Sequence, residues 1–273
     1  MKKLTEIEAK QVQLSILKAF HDICKRNGLR YSLYAGTLIG ALRHQGFIPW
    51  DDDIDVAMVR EDYEKLFAVY DSSEHSDYHK LYDSRVVKEF HFPFMKLADT
   101  RTIQQSPGKE DKLIELGLHI DIFAIDGLPR NRFLALCHLK LLRLLRHCDE
   151  LSFLSLGVRK RSVMKRLIIL LFKVFSFGAK PALWHRLHNW LAARYRVTES
   201  RWAGNTVWGY AERELVPVQC YEGEQIVTFE NEQFCAFGDA DTYLRTVYGD
   251  YMTPPPAEFQ TGNHVVASYM EES

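Results

Sequence analysis

Residues 31–66 read YSLYAGTLIGALRHQGFIPWDDDIDVAMVREDYEKL, and they contain the acidic cluster DDDID at 51–55. The apolar run at 56–59 that follows is typical of a buried strand. Side chains on a strand alternate between its two faces, so Asp53 and Asp55 are expected to project together while the isoleucine between them faces the core. Two carboxylates this close repel each other, and a divalent cation removes that repulsion. Because Mg²⁺ prefers carboxylate oxygens together with substrate phosphates, the pattern predicts a site for Mg²⁺ (or Mn²⁺) that holds a diphosphate.

A turn of small residues lies upstream of this cluster. The sequence predicts a strand at 29–34, a turn at Ala35-Gly36-Thr37 and a short helix at 38–43. Backbone N–H groups at such a turn and at a helix N-terminus bind phosphate, so Gly36 and Thr37 are expected to contact a phosphate group. The order of strand, small-residue turn, helix and Asp-x-Asp strand resembles the nucleotidyltransferase superfamily, although Gly36-Thr37 replaces its usual Gly-Gly or Gly-Ser pair.

A third carboxylate for the same site is expected from a later strand. Asp121 lies within a predicted apolar strand at 118–125, where a carboxylate is costly unless it is paired or bound to a metal. The alternative for Asp121 is a structural hydrogen-bond acceptor. Asp126 stands beside Gly127 and is predicted to be a turn residue.

The acidic cluster also has two simpler interpretations. A lone Asp-x-Asp occurs in solvated loops, and from Asp51 the cluster matches the first ligand positions of an EF-hand calcium loop. Against calcium, Val56 stands where the EF-hand has its glycine and Asp62 where it has its glutamate. The flanking segments also resemble strands rather than helices.

The remaining elements alternate between strand and helix patterns. An amphipathic helix is expected at 4–27, opened by a capping box at 5–8 and ended by Gly28, with Ile7, Leu14, Leu17 and Ile23 sharing a face. Further predictions are a helix at 60–70, a strand at 92–97, a hairpin at 224–236 with Glu230-Asn231 near its turn, and a helix at 239–248. Such alternation predicts the α/β (α+β) class, with a mixed sheet flanked by helices.

A strongly basic segment interrupts this pattern. Residues 130–196 contain 15 Lys and Arg but only Asp149 and Glu150 as acids, whereas the whole chain has a net charge of −1. We therefore divide the chain into a catalytic core at 1–129, a basic helical insertion at 130–200 and a C-terminal part at 201–273 that completes the catalytic domain. The insertion, with two or three helices, is expected either to contact an anionic membrane surface or to pack on the acidic remainder. Nucleic-acid binding is not expected, because no recognised motif accompanies the charge.

Composition restricts the class of protein further. A chain of 273 residues with 47% hydrophobic and 26% charged residues is expected to form a folded globular protein. Five cysteines without Cys-x-x-Cys spacing argue against a disulfide framework or a zinc site. We find no signal peptide and no apolar run long enough for a membrane span, so a cytoplasmic location is expected, with association at the inner face of the membrane as an option.

The stretch at 31–66 resembles the signature of the LicD family, which includes the fukutin-related proteins. Three later blocks resemble the family in the same order: PFMKLADTRT at 93–102, HIDIFAIDG at 119–127, and YGDYM followed by prolines from Tyr248. The resemblance implies a nucleotidyltransferase-like fold and metal ligation by Asp53, Asp55 and Asp121. Asp51 would be a further ligand or a base.

The resemblance also implies a reaction. Bacterial members are associated with transfer of phosphocholine from CDP-choline to a cell-surface glycan, such as lipopolysaccharide or teichoic acid, or to its lipid-linked precursor; the fukutin-related branch uses CDP-ribitol. A sugar hydroxyl would attack the phosphorus that bears choline, and CMP would leave. Lys96 and Arg43 are expected either to neutralise phosphate charge or to be surface cations, and His264 is a candidate base. A choline head favours an aromatic cage, for which the candidate walls are Trp50, Phe92, Phe94, Trp208, Tyr210 and Tyr248.

Two other functions stay open at this point. One is a nucleotidylyltransferase that attacks the α-phosphorus of a nucleoside triphosphate and releases pyrophosphate. The other is a metal- or nucleotide-binding protein without activity, which would not need the full set of three aspartates.

Overall fold

A computed structural model describes residues 2–70, 78–87, 90, 92–105, 116–153, 162–175, 181–260 and 266–270. Its α-helices are α1 (Glu6–Arg26), α2 (Ala35–His44), α3 (Arg60–Val69), α4 (Arg132–Phe153), α5 (Val163–Phe175), α6 (Pro181–Ala192) and α7 (Ala240–Tyr248). Its strands are β1 (Lys2–Lys3), β2 (Ser32–Leu33), β3 (Asp55–Val59), β4 (His79–Tyr82), β5 (Met95–Asp99), β6 (Thr102–Gln105), β7 (His119–Leu128), β8 (Trp202–Gly204), β9 (Val216–Pro217), β10 (Glu224–Phe229), β11 (Glu232–Phe237) and β12 (Val266–Tyr269).

The central sheet is mixed, which confirms the predicted fold class. Its strands run in the order β2-β3-β7-β5-β4, and the far end of β7 also pairs with β8, which pairs with β9. Strands β3 and β7 are parallel, whereas β2, β5 and β8 run antiparallel to their neighbours. The middle strands β3 and β7 are almost entirely buried apart from their first residues, so polar groups at those first residues lie at one edge of an apolar core.

Helix α1 closes one face of this core. Thr5 and Glu8 form the predicted capping box, since the Glu8 N–H donates to Thr5 Oγ1 (3.2 Å) and the Thr5 N–H donates to Glu8 Oε2 (2.8 Å). Leu17 is fully buried, but Ile7 is 71% exposed, so the prediction that Ile7 shares the buried face was wrong. Gly28 follows the helix with a positive φ of 61°, a conformation that suits glycine.

Several element boundaries differ from the predictions. The strand expected at 29–34 is shortened to Ser32–Leu33, because Tyr34 already caps α2. The strand expected at 92–97 begins only at Met95 and continues to Asp99. The hairpin of β10 and β11 is confirmed, with Glu230 and Asn231 both at positive φ in its two-residue turn.

The C-terminal part contributes to the same sheet as the N-terminal part. β8 pairs with β7, and β12 joins β1 and β6 in a second, three-stranded antiparallel sheet. These pairings agree with a C-terminal part that completes the core, while the boundaries at 1–129, 130–200 and 201–273 stay a prediction.

The basic segment contains three helices, α4, α5 and α6, and α4 packs against both of the others. Within the described ranges, none of the helices combines the length and apolarity that a membrane crossing requires. All five cysteines are free thiols in the structure.

Candidate active site

Three of the four predicted carboxylates meet where β3 and β7 begin. Asp55 is the first residue of β3 and pairs in register with Asp121 on the parallel strand β7. Asp53 lies two residues before β3, outside the regular strand, so strand alternation does not place it as the sequence suggested. Asp121 is nevertheless among the charges that act on both Asp53 and Asp55.

The carboxylates destabilise one another's charged forms. Desolvation, followed by the charges of Asp51 and Asp121, raises the pKa of Asp53 to about 8, although Asp53 keeps an exposed surface. Burial and the charges of Asp53 and Asp121 raise the pKa of Asp55 well above its usual range, and the charge of Lys96 acts in the opposite direction. The cluster is therefore an excess of negative charge that the protein neutralises only in part.

Asp51 is held against the first turn of α2. A Cβ on Gly36 would lie 2.6 Å from Asp51 Oδ2, so this carboxylate reaches its position only because residue 36 has no side chain. Burial raises the pKa of Asp51, and hydrogen bonding with Asp53 lowers it in part. The N-terminus of a helix carries unpaired N–H groups and a partial positive charge, which favours an anion beside Gly36.

The hydroxyl of Thr37 fixes the start of β3. The Asp55 N–H donates to Thr37 Oγ1 (2.8 Å), and the Tyr34 N–H donates to the Asp55 carbonyl (2.9 Å). Thr37 is only 3% exposed. The Thr37 side chain therefore positions Asp55. The predicted phosphate contact of Gly36 and Thr37 would be made by their backbone N–H groups.

Lys96 is the cation of the site. It pairs in register with Asp121 across β5 and β7, and its buried ammonium forms an ion pair with Asp121. Lys96 Nζ also donates to His119 Nε2 (2.9 Å), while His119 Nδ1 donates to the Gly117 carbonyl (2.8 Å). His119 was not predicted; its place two residues before Asp121 on one strand, hence on the same face, is the signal that could have found it.

The donor set suits a hard divalent cation. Among the described residues, no three His, Cys, Asp or Glu side chains form a group that could hold a metal ion. Mg²⁺ does not require three protein ligands, because it usually keeps several waters and binds one or two carboxylates plus substrate phosphates. Asp53 and Asp55, whose negative charges are incompletely neutralised, are the oxygen ligands that this ion would take, with Asp121 beside them.

Arg43 lies apart from the carboxylates. It is seven residues after Gly36 on α2, about 10 Å along the helix axis. Its guanidinium donates to the Tyr251 carbonyl (2.6 Å) and to His44 Nε2 (2.9 Å). Arg43 thus ties α2 to the C-terminal part, and its contact with a phosphate stays a prediction.

Asp126 was predicted to be a turn residue, but it is an interior residue of β7. It is completely buried, and Arg60 binds it through two hydrogen bonds of 2.7 and 2.9 Å. The Thr206 hydroxyl donates a third (2.8 Å). This carboxylate is fully paired, which explains how it persists within a strand.

The calcium interpretation does not match the structure. From Asp51, positions 5–9 of a calcium loop would be residues 55–59, but these form strand β3, which pairs with β2 and β7 in the central sheet. Asp62 lies in the first turn of α3. There it forms ion pairs with Arg30 and Lys65, each at 3.2 Å.

Three of the six aromatic candidates form one group beside Lys96. The ring centroids of Phe94 and Trp208 are 5.3 Å apart, and those of Phe92 and Phe94 are 5.5 Å apart. Lys96 Nζ lies 4.4 Å from the centroid of Phe92 and 5.0 Å from that of Phe94. A cation is thus already held at these ring faces, next to Asp121.

The other three aromatic candidates lie elsewhere. Tyr210 and Tyr248 pair edge to face at 5.4 Å, and Tyr248 is close enough to Asp55 for that charge to raise its pKa, after the larger effect of burial. Trp50 pairs with His44. His264, the candidate base, is outside the described residues.

Glu214 was not predicted, and it links the start of α2 to the loop at 205–210. It is buried and accepts hydrogen bonds from the Tyr34 hydroxyl (3.2 Å) and from the N–H groups of Asn205 (3.0 Å) and Tyr210 (3.1 Å). Burial raises its pKa to about 7, against these hydrogen bonds. Glu214 therefore fixes the loop that carries Trp208.

Comparisons with known proteins identify the family. Residues 28–131 match the family described as LicD/FKTN/FKRP, nucleotidyltransferase domain. The chain is 31% identical over 280 aligned positions to the lipopolysaccharide cholinephosphotransferase LicD of Haemophilus influenzae, covering 99% of this chain and 100% of that protein. Over 47 residues, 17% of the chain, it is 45% identical to the uncharacterized proteins RP689 of Rickettsia prowazekii and RT0683 of Rickettsia typhi, which are covered to 18% and 15%. The chain belongs to the LicD family of transferases.

Proposed function

We propose that this protein transfers phosphocholine, or a related phospho-alcohol, from a CDP-linked donor to a glycan or to its lipid-linked precursor at the inner face of the membrane. The observation that carries the proposal is the 31% identity along 99% of the chain to a lipopolysaccharide cholinephosphotransferase. The carboxylate cluster and Lys96 supply the electrostatics that such a transfer needs.

The bond changes of the proposed reaction are simple. The oxygen of an acceptor hydroxyl attacks the phosphorus that bears choline, a new P–O bond forms, and the P–O bond to CMP breaks. Asp51 is assigned to accept the hydroxyl proton, because burial makes its carboxylate more basic than usual. The backbone N–H groups at the start of α2 orient the departing phosphate.

A divalent cation is part of the proposal. Asp53, Asp55 and Asp121 would hold Mg²⁺ or Mn²⁺, which as a Lewis acid supplies charge stabilisation to the phosphoryl oxygens. Lys96 already contacts Asp121, so its ammonium lies ready to balance negative charge at the same place.

The aromatic group of Phe92, Phe94 and Trp208 is assigned to the alcohol part of the donor. Trp208 is partly exposed beside Phe94, and tryptophan attracts cations most strongly among the aromatic side chains. A trimethylammonium group against Trp208 would lie next to the phosphate held near Lys96. We therefore expect Trp208→Leu to raise KM for CDP-choline more than for CDP-ribitol, which carries no charge on its alcohol.

Product analysis tests the reaction directly. The purified chain is incubated with Mg²⁺, a glycan acceptor and one of CDP-choline, CDP-ethanolamine, CDP-ribitol or CTP. We expect CMP and a phosphorylated glycan from one CDP-alcohol, a loss of roughly 10³-fold or more in Asp53→Asn from the missing metal ligand, and no change in the surface control Asp22→Asn.

Other outcomes contradict the proposal in distinct ways. Pyrophosphate from CTP would make the protein a nucleotidylyltransferase. Equal CMP release by wild type and Asp53→Asn, or undiminished release in EDTA, would remove the carboxylate cluster and its metal from the mechanism.

A further inference from the structure

The basic helices expose an unusual amount of apolar surface. Of the 23 large hydrophobic side chains exposed among the described residues, 13 lie between Arg132 and Ala192. Exposed apolar side chains scattered singly are normal, whereas a contiguous concentration of them marks an interaction surface.

Helix α5 shows the pattern most clearly. Met164, Leu167, Leu171 and Val174 are 65%, 47%, 45% and 61% exposed, and their spacing places them along one side of the helix. Ile169 is 2% exposed and faces the protein. Helix α5 thus has a narrow inner contact and a broad apolar outer face.

Helices α4 and α6 repeat this arrangement. On α6, Leu183, Leu187 and Trp190 are exposed in a stripe of the same spacing, and Trp190 is 63% exposed. On α4, Phe133 and Leu144 are 71% and 59% exposed. We call the exposed apolar residues of α4, α5 and α6 the apolar face.

Positive charge is concentrated in the segment that carries the apolar face. Residues 130–196 hold 15 Lys and Arg against two acids, of which Asp149 is buried against His185 and Glu150 pairs with Arg146. Both acids of the segment are therefore occupied within it. The Arg143–Glu212 ion pair (3.3 Å) joins α4 to the rest of the fold, whereas the apolar face is solvent-exposed within the part of the chain that the structure describes.

We infer that the apolar face docks on the surface of an anionic lipid bilayer. Leu, Trp and Phe on one side of a helix, accompanied by Arg and Lys, are the composition of helices that lie in the plane of the membrane interface. The anionic headgroups complement the basic charge, and the acyl boundary covers the leucines. A second copy of the chain is disfavoured as the occupant, since it would bring a second basic segment against the first.

This docking holds whether or not phosphocholine is the transferred group. It rests on the proposed function only in the consequence that the site would face a lipid-linked acceptor. A vesicle-binding measurement and a product measurement with a water-soluble glycan therefore fail independently.

The test is co-sedimentation of the full chain with vesicles of phosphatidylcholine alone or with about one third phosphatidylglycerol, a strongly anionic composition. We expect binding to the anionic vesicles, weakened by added salt. The double substitution Leu167→Glu/Leu171→Glu should lower the partition coefficient by about a hundredfold, roughly tenfold for each leucine removed from the acyl boundary. Because both leucines are exposed, thermal unfolding should be unchanged.

A control and a second readout accompany it. Ile7→Glu changes a still more exposed apolar residue on α1 and should leave vesicle binding intact. The tryptophan emission should shift to the blue on anionic vesicles, and most of that shift should vanish in Trp190→Phe. Absence of binding, or equal binding to both vesicle types, overturns the inference, as does a dimer in solution that the double substitution dissociates.

Discussion

Removal of one carboxylate from the site should stabilise the metal-free protein while it abolishes activity. The pKa of Asp53 is raised from 3.8 to about 8, so the folded state disfavours its ionised form. The free energy of unfolding of the wild type therefore falls progressively as pH rises from about 4 to about 8, and this decrease is absent below the pKa that Asp53 has in the unfolded chain. At pH 7 the shift would correspond to about 4 kcal/mol for a fully buried group, and because Asp53 is exposed we discount this to about 1–2 kcal/mol.

The assay is thermal unfolding of wild type and Asp53→Asn in EDTA at pH 4 and pH 7. We expect the variant to melt roughly 2–8 °C higher at pH 7, from about 2–4 °C per kcal/mol for a domain of this size, and the difference to vanish at pH 4. Mg²⁺ should raise the melting temperature of the wild type more than that of the variant. Asp22→Asn is the control and should shift neither curve. A variant less stable than the wild type at pH 7 in EDTA would refute the argument that unneutralised carboxylates strain the site.

Two further substitutions separate stability from activity. Arg60→Met should destabilise the fold by about 3–5 kcal/mol, because Asp126 would be left buried without its cation. In a urea titration, the double variant Arg60→Met/Asp126→Leu should recover most of that loss. A double variant as unstable as the single one contradicts this. Gly36→Ala should leave the melting temperature unchanged or slightly higher, since alanine favours the helix. It should nevertheless lower kcat by roughly 10²-fold, because its Cβ would lie 2.6 Å from Asp51 Oδ2 and displace that carboxylate. An active Gly36→Ala enzyme would show that the position of Asp51 is not critical.

Elements with local signals were predictable from the sequence. The capping box at Thr5, the apolar strand that follows Asp55 and the Glu230-Asn231 turn depend on residues within a few positions of one another. The predicted buried face of α1 failed at Ile7, which lies on the opposite side of the helix. Ile7 is nine positions before the buried Ile16, or two and a half turns at 3.6 residues per turn.

The parts of the site that sequence reasoning missed depend on partners far apart in the chain. Glu214 meets Tyr34 across 180 positions, and Lys96 meets His119 and Asp121 only because β5 and β7 are neighbours in the sheet. A carboxylate in an apolar segment indicates that it has some partner, but it does not say which. Both Asp121 and Asp126 gave that signal.

The two aspartates of β7 show how one strand provides both a structural carboxylate and a proposed metal ligand. They are five positions apart, so their side chains leave opposite faces of the sheet. Asp126 meets an arginine, whose planar guanidinium binds both carboxylate oxygens at once and holds them permanently. Asp121 meets Lys96, a point charge on a flexible stem that neutralises it without occupying both oxygens. The choice of cation thus leaves no free oxygen on Asp126, whereas Asp121 keeps one that can bind a further positive ligand beside Asp55.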